Sequence, residues 1–158
     1  MASYASLFTG TPAEETSQPQ EPAEQYRLLL VDDEPNVLKA LQRVFRQENY
    51  LVATVPNAGE ALRLMGQGAF HLVISDYMMP IMNGAEFLKQ VKSLYPETIR
   101  IMLTGHADTG AVMGAVNEGA VYKFILKPCN DDDLRITVAL ALEQFDLLQK
   151  NRVLQQEN

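Results

Sequence analysis

From Arg27 onward the chain alternates two hydrophobic rhythms. Short, unbroken apolar runs lie at 27–31, 51–55, 71–75, 99–103 and 121–126. Each is too short for a helix and reads as a strand of a parallel sheet buried on both faces. Between the runs, apolar residues recur at helical spacing. Val37, Leu38, Leu41, Val44 and Phe45 follow Pro35, a residue suited to a first helical turn. A second helix is predicted from Asn57 as N-cap, with Ala58, Ala61, Leu62 and Met65 inward and a stop around Gly66 and Gly68. A third runs from about Asn83 to Leu94 with Phe87, Leu88 and Val91 inward and Pro96 just beyond. A fourth, at about 108–118, is weakened by Gly110 and Gly114 and closed by Gly119. Strands alternating with helices of this length predict βαβ crossovers, hence an α/β domain with helices on both faces of a parallel sheet. No internal repeat is present.

The two ends depart from this rhythm. Residues 1 to about 25 are rich in Ser, Thr, Gln, Glu and Pro, with Leu7 and Phe8 as an isolated apolar pair. Such a composition buries too little surface to offset ordering entropy and predicts a disordered leader. The last helix starts at Asn130-Asp131-Asp132-Asp133, where negative charge favours a helix N-terminus, and meets no Gly or Pro before Asn158. That is roughly 27 residues, or about 40 Å, about twice what one sheet face needs. Leu134, Val138, Ala141 and Phe145 can serve the core, while Leu140, Leu147 and Leu154 recur at sevens as a coiled-coil seam does. Glu143 and Lys150 interrupt that seam. The extension is either a dimerising or domain-linking helix or a solvated tail. The expected partition is a leader at 1–25, a folded domain at 26–142 and a helical extension at 143–158. A helix still in progress at Asn158 predicts further protein beyond it.

Composition narrows the classes. Hydrophobic residues at 47% and charged residues at 21% of 158 are globular values, enough for one domain with appendages. No apolar stretch approaches the roughly 20 residues that span a bilayer. The first basic residue is Arg27, so the start lacks the charged features of secretory and transit peptides. The single Cys129 allows no intrachain disulfide and fits a reducing cytoplasm. A net charge of -7 argues against nucleic-acid binding by this segment, since phosphate contacts need a basic face.

The chemistry stands where the apolar runs stop. Asp32 and Asp33 follow the first run, Asp76 the third, Thr104 the fourth and Lys127 the fifth. Parallel strands bring these ends to one sheet edge, which in such folds is the ligand crevice. Three carboxylates crowded there call for a hard cation, and Mg²⁺ takes one or two carboxylates while keeping several waters. Lys127 supplies a point charge for an anionic oxygen, and Thr104 a hydroxyl. A carboxylate can act as nucleophile toward a phosphoryl group, giving an aspartyl phosphate. Asp76, alone at its strand end, is the candidate nucleophile, and the paired aspartates suit metal holding. His71 and His106 are too few and too far apart for a metal site. Cys129 is expected to pack, and Met78, Met79 and Met82 to fill loop and core.

The pieces Val31-Asp32-Asp33-Glu34, Asp76-Tyr77-Met78-Met79-Pro80 followed by Asn83-Gly84, Thr104-Gly105 and Lys127-Pro128 occur in this order, each at a strand end. Over about 26–142 the chain resembles the receiver (CheY-like) domain of two-component response regulators. The resemblance implies a flavodoxin-like, doubly wound five-stranded sheet of order 2-1-3-4-5, phosphorylation on Asp76 by a histidine kinase, and a Mg²⁺ requirement. It places the metal on Asp33, Asp76 and the backbone carbonyl of Met78, with Asp32 reaching it through water. It assigns Thr104 and Lys127 to the phosphoryl oxygens and a usually cis bond to Lys127-Pro128. Thr104 and an aromatic ring on the fifth strand form the family's switch. Phe124 matches that ring without the hydroxyl of a tyrosine, and Tyr122 is the weaker substitute. Met78 and His106 stand where side chains shape solvent access to the phosphoryl group.

Three functions share this chemistry. The first is a receiver that relays to an output domain through the final helix, such as an HD-GYP-type phosphodiesterase or a transcriptional activator. Many of that branch carry an aromatic where this chain has Cys129. The second is a stand-alone receiver acting by protein–protein contact, and the third an independent aspartyl-phosphate phosphatase. The third lacks both the Asp-x-Asp loop of haloacid dehalogenase-like enzymes and a cap domain.

Overall fold

The computed structural model describes residues 25–105, 110, 113, 114, 116 and 118–157, with side chains as far as Asn151. Its elements are β1 (Tyr26–Val31), α1 (Pro35–Val44), β2 (Tyr50–Val55), α2 (Ala58–Met65), β3 (Leu72–Asp76), α3 (Gly84–Leu94), β4 (Ile99–Thr104), β5 (Lys123–Leu126) and a final helix, Asp131–Glu157. The five strands form one parallel sheet of order β2-β1-β3-β4-β5, as expected. The order reverses between β1 and β3, which opens a crevice at the carboxyl ends of those two strands.

Both sheet faces are dry, which is why the strands read as continuous apolar runs rather than alternating ones. Leu29, Val31, Val73 and Met102 face a core shared with α2 and α3. Leu28, Leu30, Leu72, Ile74, Ile101 and Leu103 face the core under α1 and the final helix. Helix starts follow local chemistry. The Asn57 side chain accepts the Glu60 amide at 2.8 Å, and Asn83 with Glu86 forms a reciprocal capping box. Pro35 sits in the first turn of α1. Asn130 accepts the amides of Asp132 and Asp133 at 2.7 and 3.2 Å and caps the final helix.

β5 begins two residues later than its apolar run predicts. The Arg100 guanidinium takes the Ala120 and Gly119 carbonyls at 2.8 and 3.3 Å, so this approach is tied by a side chain rather than by the ladder. Tyr122 still donates its amide to the Arg100 carbonyl at 2.7 Å. The predicted fourth helix lies mostly outside the described residues, although Gly110, Met113, Gly114 and Val116 are helical. The leader, including Leu7 and Phe8, and His106 also lie outside them.

The final helix buries Leu134, Val138 and Ala141 as expected, and Leu142 besides. Past Leu142 it is still fastened to the amino edge of the sheet. Tyr26 donates its hydroxyl to Asp146. The His71 ring lies edge-on between Tyr26 and Phe145, with centroids 5.2 and 4.9 Å away. Gln149 donates to Glu97 at 3.0 Å. Leu140 and Leu147 are exposed. Leu154 lies beyond the described side chains. Among the described residues no helix is long and apolar enough to cross a membrane.

Candidate functional site

Four strand ends build the crevice. Asp32 and Asp33 leave β1, Asp76 closes β3, Thr104 closes β4, and Lys127 follows β5. In register Asp76 pairs with Leu103 and Thr104 with Leu126, so the side chains meet at one level. The Lys127 ammonium lies 2.6 Å from Asp76 Oδ1 and 3.5 Å from Asp32 Oδ2. Carboxylate oxygens of Asp32, Asp33 and Asp76 all lie within 4.8 Å of one another.

Burial is uneven, and the charges respond. Asp32 is 1% exposed and Asp76 6%, whereas Asp33 is exposed. Burial pushes the Asp32 carboxyl above its ordinary range, and the charge of Asp76 adds to this against the Glu34 amide and Lys127. Burial likewise pushes Asp76 up, and the Lys127 hydrogen bond only partly offsets it. For Lys127, burial works against the charge, but the bond to Asp76 and the charges of Asp76 and Asp32 outweigh it and hold the ammonium above its usual range. Both partners of the ion pair are therefore raised. Among the described residues one ammonium faces three carboxylates, leaving an excess of negative charge.

A divalent cation fits that excess. Asp32 illustrates the fit: its Oδ1 accepts the Glu34 amide at 2.9 Å, while its buried Oδ2 accepts no hydrogen bond. The Glu34 amide thus occupies one oxygen of this carboxylate, and the other, 3.5 Å from the Lys127 ammonium, is a buried acceptor without a hydrogen bond, of the sort a metal-bound water or cation satisfies.

The loop after β3 is fixed from both sides. Tyr77 donates its amide to the Leu103 carbonyl at 2.9 Å, and the Gly84 amide returns to the Tyr77 carbonyl at 2.8 Å. The start of α3 thereby crosses directly over the end of β3. A Cβ on Gly84 would stand 2.3 Å from the Asp76 carbonyl oxygen, so only glycine permits this crossing. The Asn83-Gly84 motif holds Asp76 in place as well as starting a helix.

Thr104 is 1% exposed, and its hydroxyl donates to the Gly105 carbonyl at 3.2 Å. Register puts Phe124 opposite Met102 and Leu126 opposite Thr104, so Thr104 and Phe124 share a sheet face as diagonal neighbours. Phe124 is half-buried against the core on that side, whereas Tyr122 is 45% exposed. Met79 is buried, Met82 half-buried and Met78 exposed. The Lys127–Pro128 bond is cis. Cys129 is half-buried beside the second core, where burial and then the charge of Asp131 push its thiol up. His71 accepts the Arg27 amide at 2.9 Å, far from the crevice.

Residues 28–139 match the family of the response regulator receiver domain. The hydrogenase transcriptional regulatory protein HoxA of Cupriavidus necator is 39% identical over 119 residues, which is 75% of this chain and 24% of that protein. The chain therefore spans about a quarter of the length of the curated relatives it matches. Among solved structures, one described as adenylate cyclase from Rhodopirellula baltica superposes with a TM-score of 0.81 at 32% identity, covering 85% of this chain and 100% of that one. The signal receiver domain of an HD domain-containing protein from Pseudomonas fluorescens gives 0.75 at 33% identity, covering 78% and 98%.

Proposed function

The chain belongs to the response regulator receiver domain family of two-component systems, and we propose that Asp76 is its phosphoacceptor. The observation that carries this reading is the near-buried Asp76 carboxylate at a strand end, 2.6 Å from the Lys127 ammonium and clustered with Asp32 and Asp33. A carboxylate oxygen of Asp76 attacks the phosphorus of a donor. The donor's own bond to phosphorus breaks, releasing imidazole from a phosphohistidine or acetate from acetyl phosphate, and an acyl phosphate forms. Lys127 then exchanges its carboxylate partner for a phosphoryl oxygen, and the Thr104 hydroxyl turns from Gly105 to another. Asp33, Asp76 and the Met78 carbonyl would hold Mg²⁺, with Asp32 serving it through water. The ion would supply neutralisation of the carboxylate cluster and of charge on the transferring group. As Thr104 turns, Phe124 follows inward and alters the surface of β5 and the final helix.

The family is not itself one of catalytic enzymes, and the reading is a signal receiver with a histidine kinase as donor. The folded unit is assigned to 26–142 and a helical extension to 143–158. That extension relays to an output domain and offers Leu140 and Leu147 to a second copy of the chain, in the cytoplasm. The curated relative HoxA is a transcriptional regulatory protein, and one structural relative is the signal receiver domain of an HD domain-containing protein. Both favour relay to an attached output over a stand-alone role. Acetyl phosphate with Mg²⁺ tests the reading: it should add one phosphoryl group per chain, seen by intact mass. Asp76→Asn should take none, and labelling that persists in that variant overturns the assignment.

A further inference from the structure

Ser75 puts a hydroxyl where the sheet calls for an apolar side chain. It is 0% exposed, and its register partners are Val31 on β1 and Met102 on β4, both part of the core under α2 and α3. Alanine would fill the same place without carrying a polar group into that core. The hydroxyl donates to the carbonyl of the next residue, Asp76, at 2.9 Å.

That carbonyl and the Tyr77 amide belong to one rigid peptide unit. The Leu103 carbonyl holds the amide end at 2.9 Å, and Ser75 holds the carbonyl end. Gly84 crosses the same oxygen so closely that a Cβ there would come within 2.3 Å of it. The peptide unit that follows Asp76 is therefore fixed at both ends, and with it the backbone from which the Asp76 carboxylate is aimed. The other restraint on this residue is the Lys127 ammonium, 2.6 Å from Oδ1. Phosphoryl transfer draws that ammonium away to a phosphoryl oxygen, whereas the bond from Ser75 lies on the backbone and persists.

We propose that Ser75 is a positioning residue for phosphoryl transfer: its buried hydroxyl holds the Asp76 carbonyl and keeps the carboxylate aligned with the donor's phosphorus as Lys127 lets go. The inference rests on Asp76 being the phosphoacceptor. Successive strand residues face opposite sides of the sheet, so Ser75 acts through the backbone rather than on the reacting atoms.

Two matched pairs of side chains test this. Serine and alanine differ by the hydroxyl at one size, threonine and valine by the hydroxyl at another. The unaltered chain, Ser75→Ala, Ser75→Thr and Ser75→Val are labelled with acetyl phosphate at saturating Mg²⁺, at a temperature where circular dichroism shows each fully folded. Ser75→Ala is expected to label about tenfold more slowly than the unaltered chain, and Ser75→Val about tenfold more slowly than Ser75→Thr. Rates that follow the melting temperatures instead of the hydroxyl, Ser75→Ala at the unaltered rate, or Ser75→Thr no faster than Ser75→Val overturns the role of Ser75. Ser75→Ala decides alone if the larger pair does not fold. Failure of acetyl phosphate to label the unaltered chain strikes instead at the Asp76 reading.

Discussion

The Lys127 ammonium is 2.6 Å from Asp76 Oδ1, which makes it, among the described residues, the one positive charge held against a near-buried carboxylate at the centre of the crevice. Removing it leaves Asp32 and Asp76 buried and unneutralised. Lys127→Met should lose about 2 kcal/mol of stability at neutral pH in urea unfolding. Acids whose folded pKa lies above the unfolded value bind protons more tightly when folded, so this loss should shrink as the pH falls toward the raised values of Asp32 and Asp76. Labelling by acetyl phosphate should fall by about a hundredfold or more.

Mg²⁺ should raise the melting temperature as its concentration rises, the added stability reaching about 1.4 kcal/mol at ten times its dissociation constant. Asp33→Ala removes the exposed carboxylate of the cluster while leaving both core faces untouched, and should abolish that dependence. Differential scanning fluorimetry across a MgCl₂ series reads both outcomes.

Gly84→Ala introduces a carbon 2.3 Å from the Asp76 carbonyl oxygen. The contact is with backbone and cannot be relieved by a rotamer. The expected cost is about 3 kcal/mol in denaturant unfolding, with slower phosphorylation because the strand end carrying Asp76 must shift.

Tyr26 is held by its hydrogen bond to Asp146, with burial and the charge of that carboxylate adding to it, and its pKa is pushed up to about 12 from an ordinary 10.0. Loss of the proton is therefore harder in the folded chain. The stabilisation is complete below pH 10 and disappears as pH rises through the folded value. Tyr26→Phe should be less stable than the unaltered chain at pH 8, with the difference closing by about pH 12, and tyrosinate absorbance should show one late-titrating group that the variant lacks.

The sheet and its crevice were legible because two independent signals agree. Runs such as Leu72–Ser75 lack alternation only if both faces are covered, and each ends on a polar residue that has no role inside a core. The caps at Asn57 and Asn83 were equally plain, since their partners lie three residues away. The tie from Tyr26 to Asp146 was not readable, because it joins positions 120 residues apart. The same holds for Arg100, whose carbonyl partners delay β5. The seat of Leu142 was readable, since it follows Leu134 by eight residues and Val138 by four on the same helix face and joins the same core cluster. Ile81, at φ 72°, gave no sign at all: nothing in Met-Pro-Ile-Met-Asn predicts a left-handed residue there.

The final helix is held as far as Gln149, by its bond to Glu97, and continues to Glu157. Its outer part is thus a beam that extends roughly 12 Å further at 1.5 Å per residue. A tilt of about 15° at the Gln149 tie would sweep its tip through about 3 Å, comparable to the pitch between neighbouring residues of a strand. Geometry alone makes the far end the most sensitive indicator of any change at the near one.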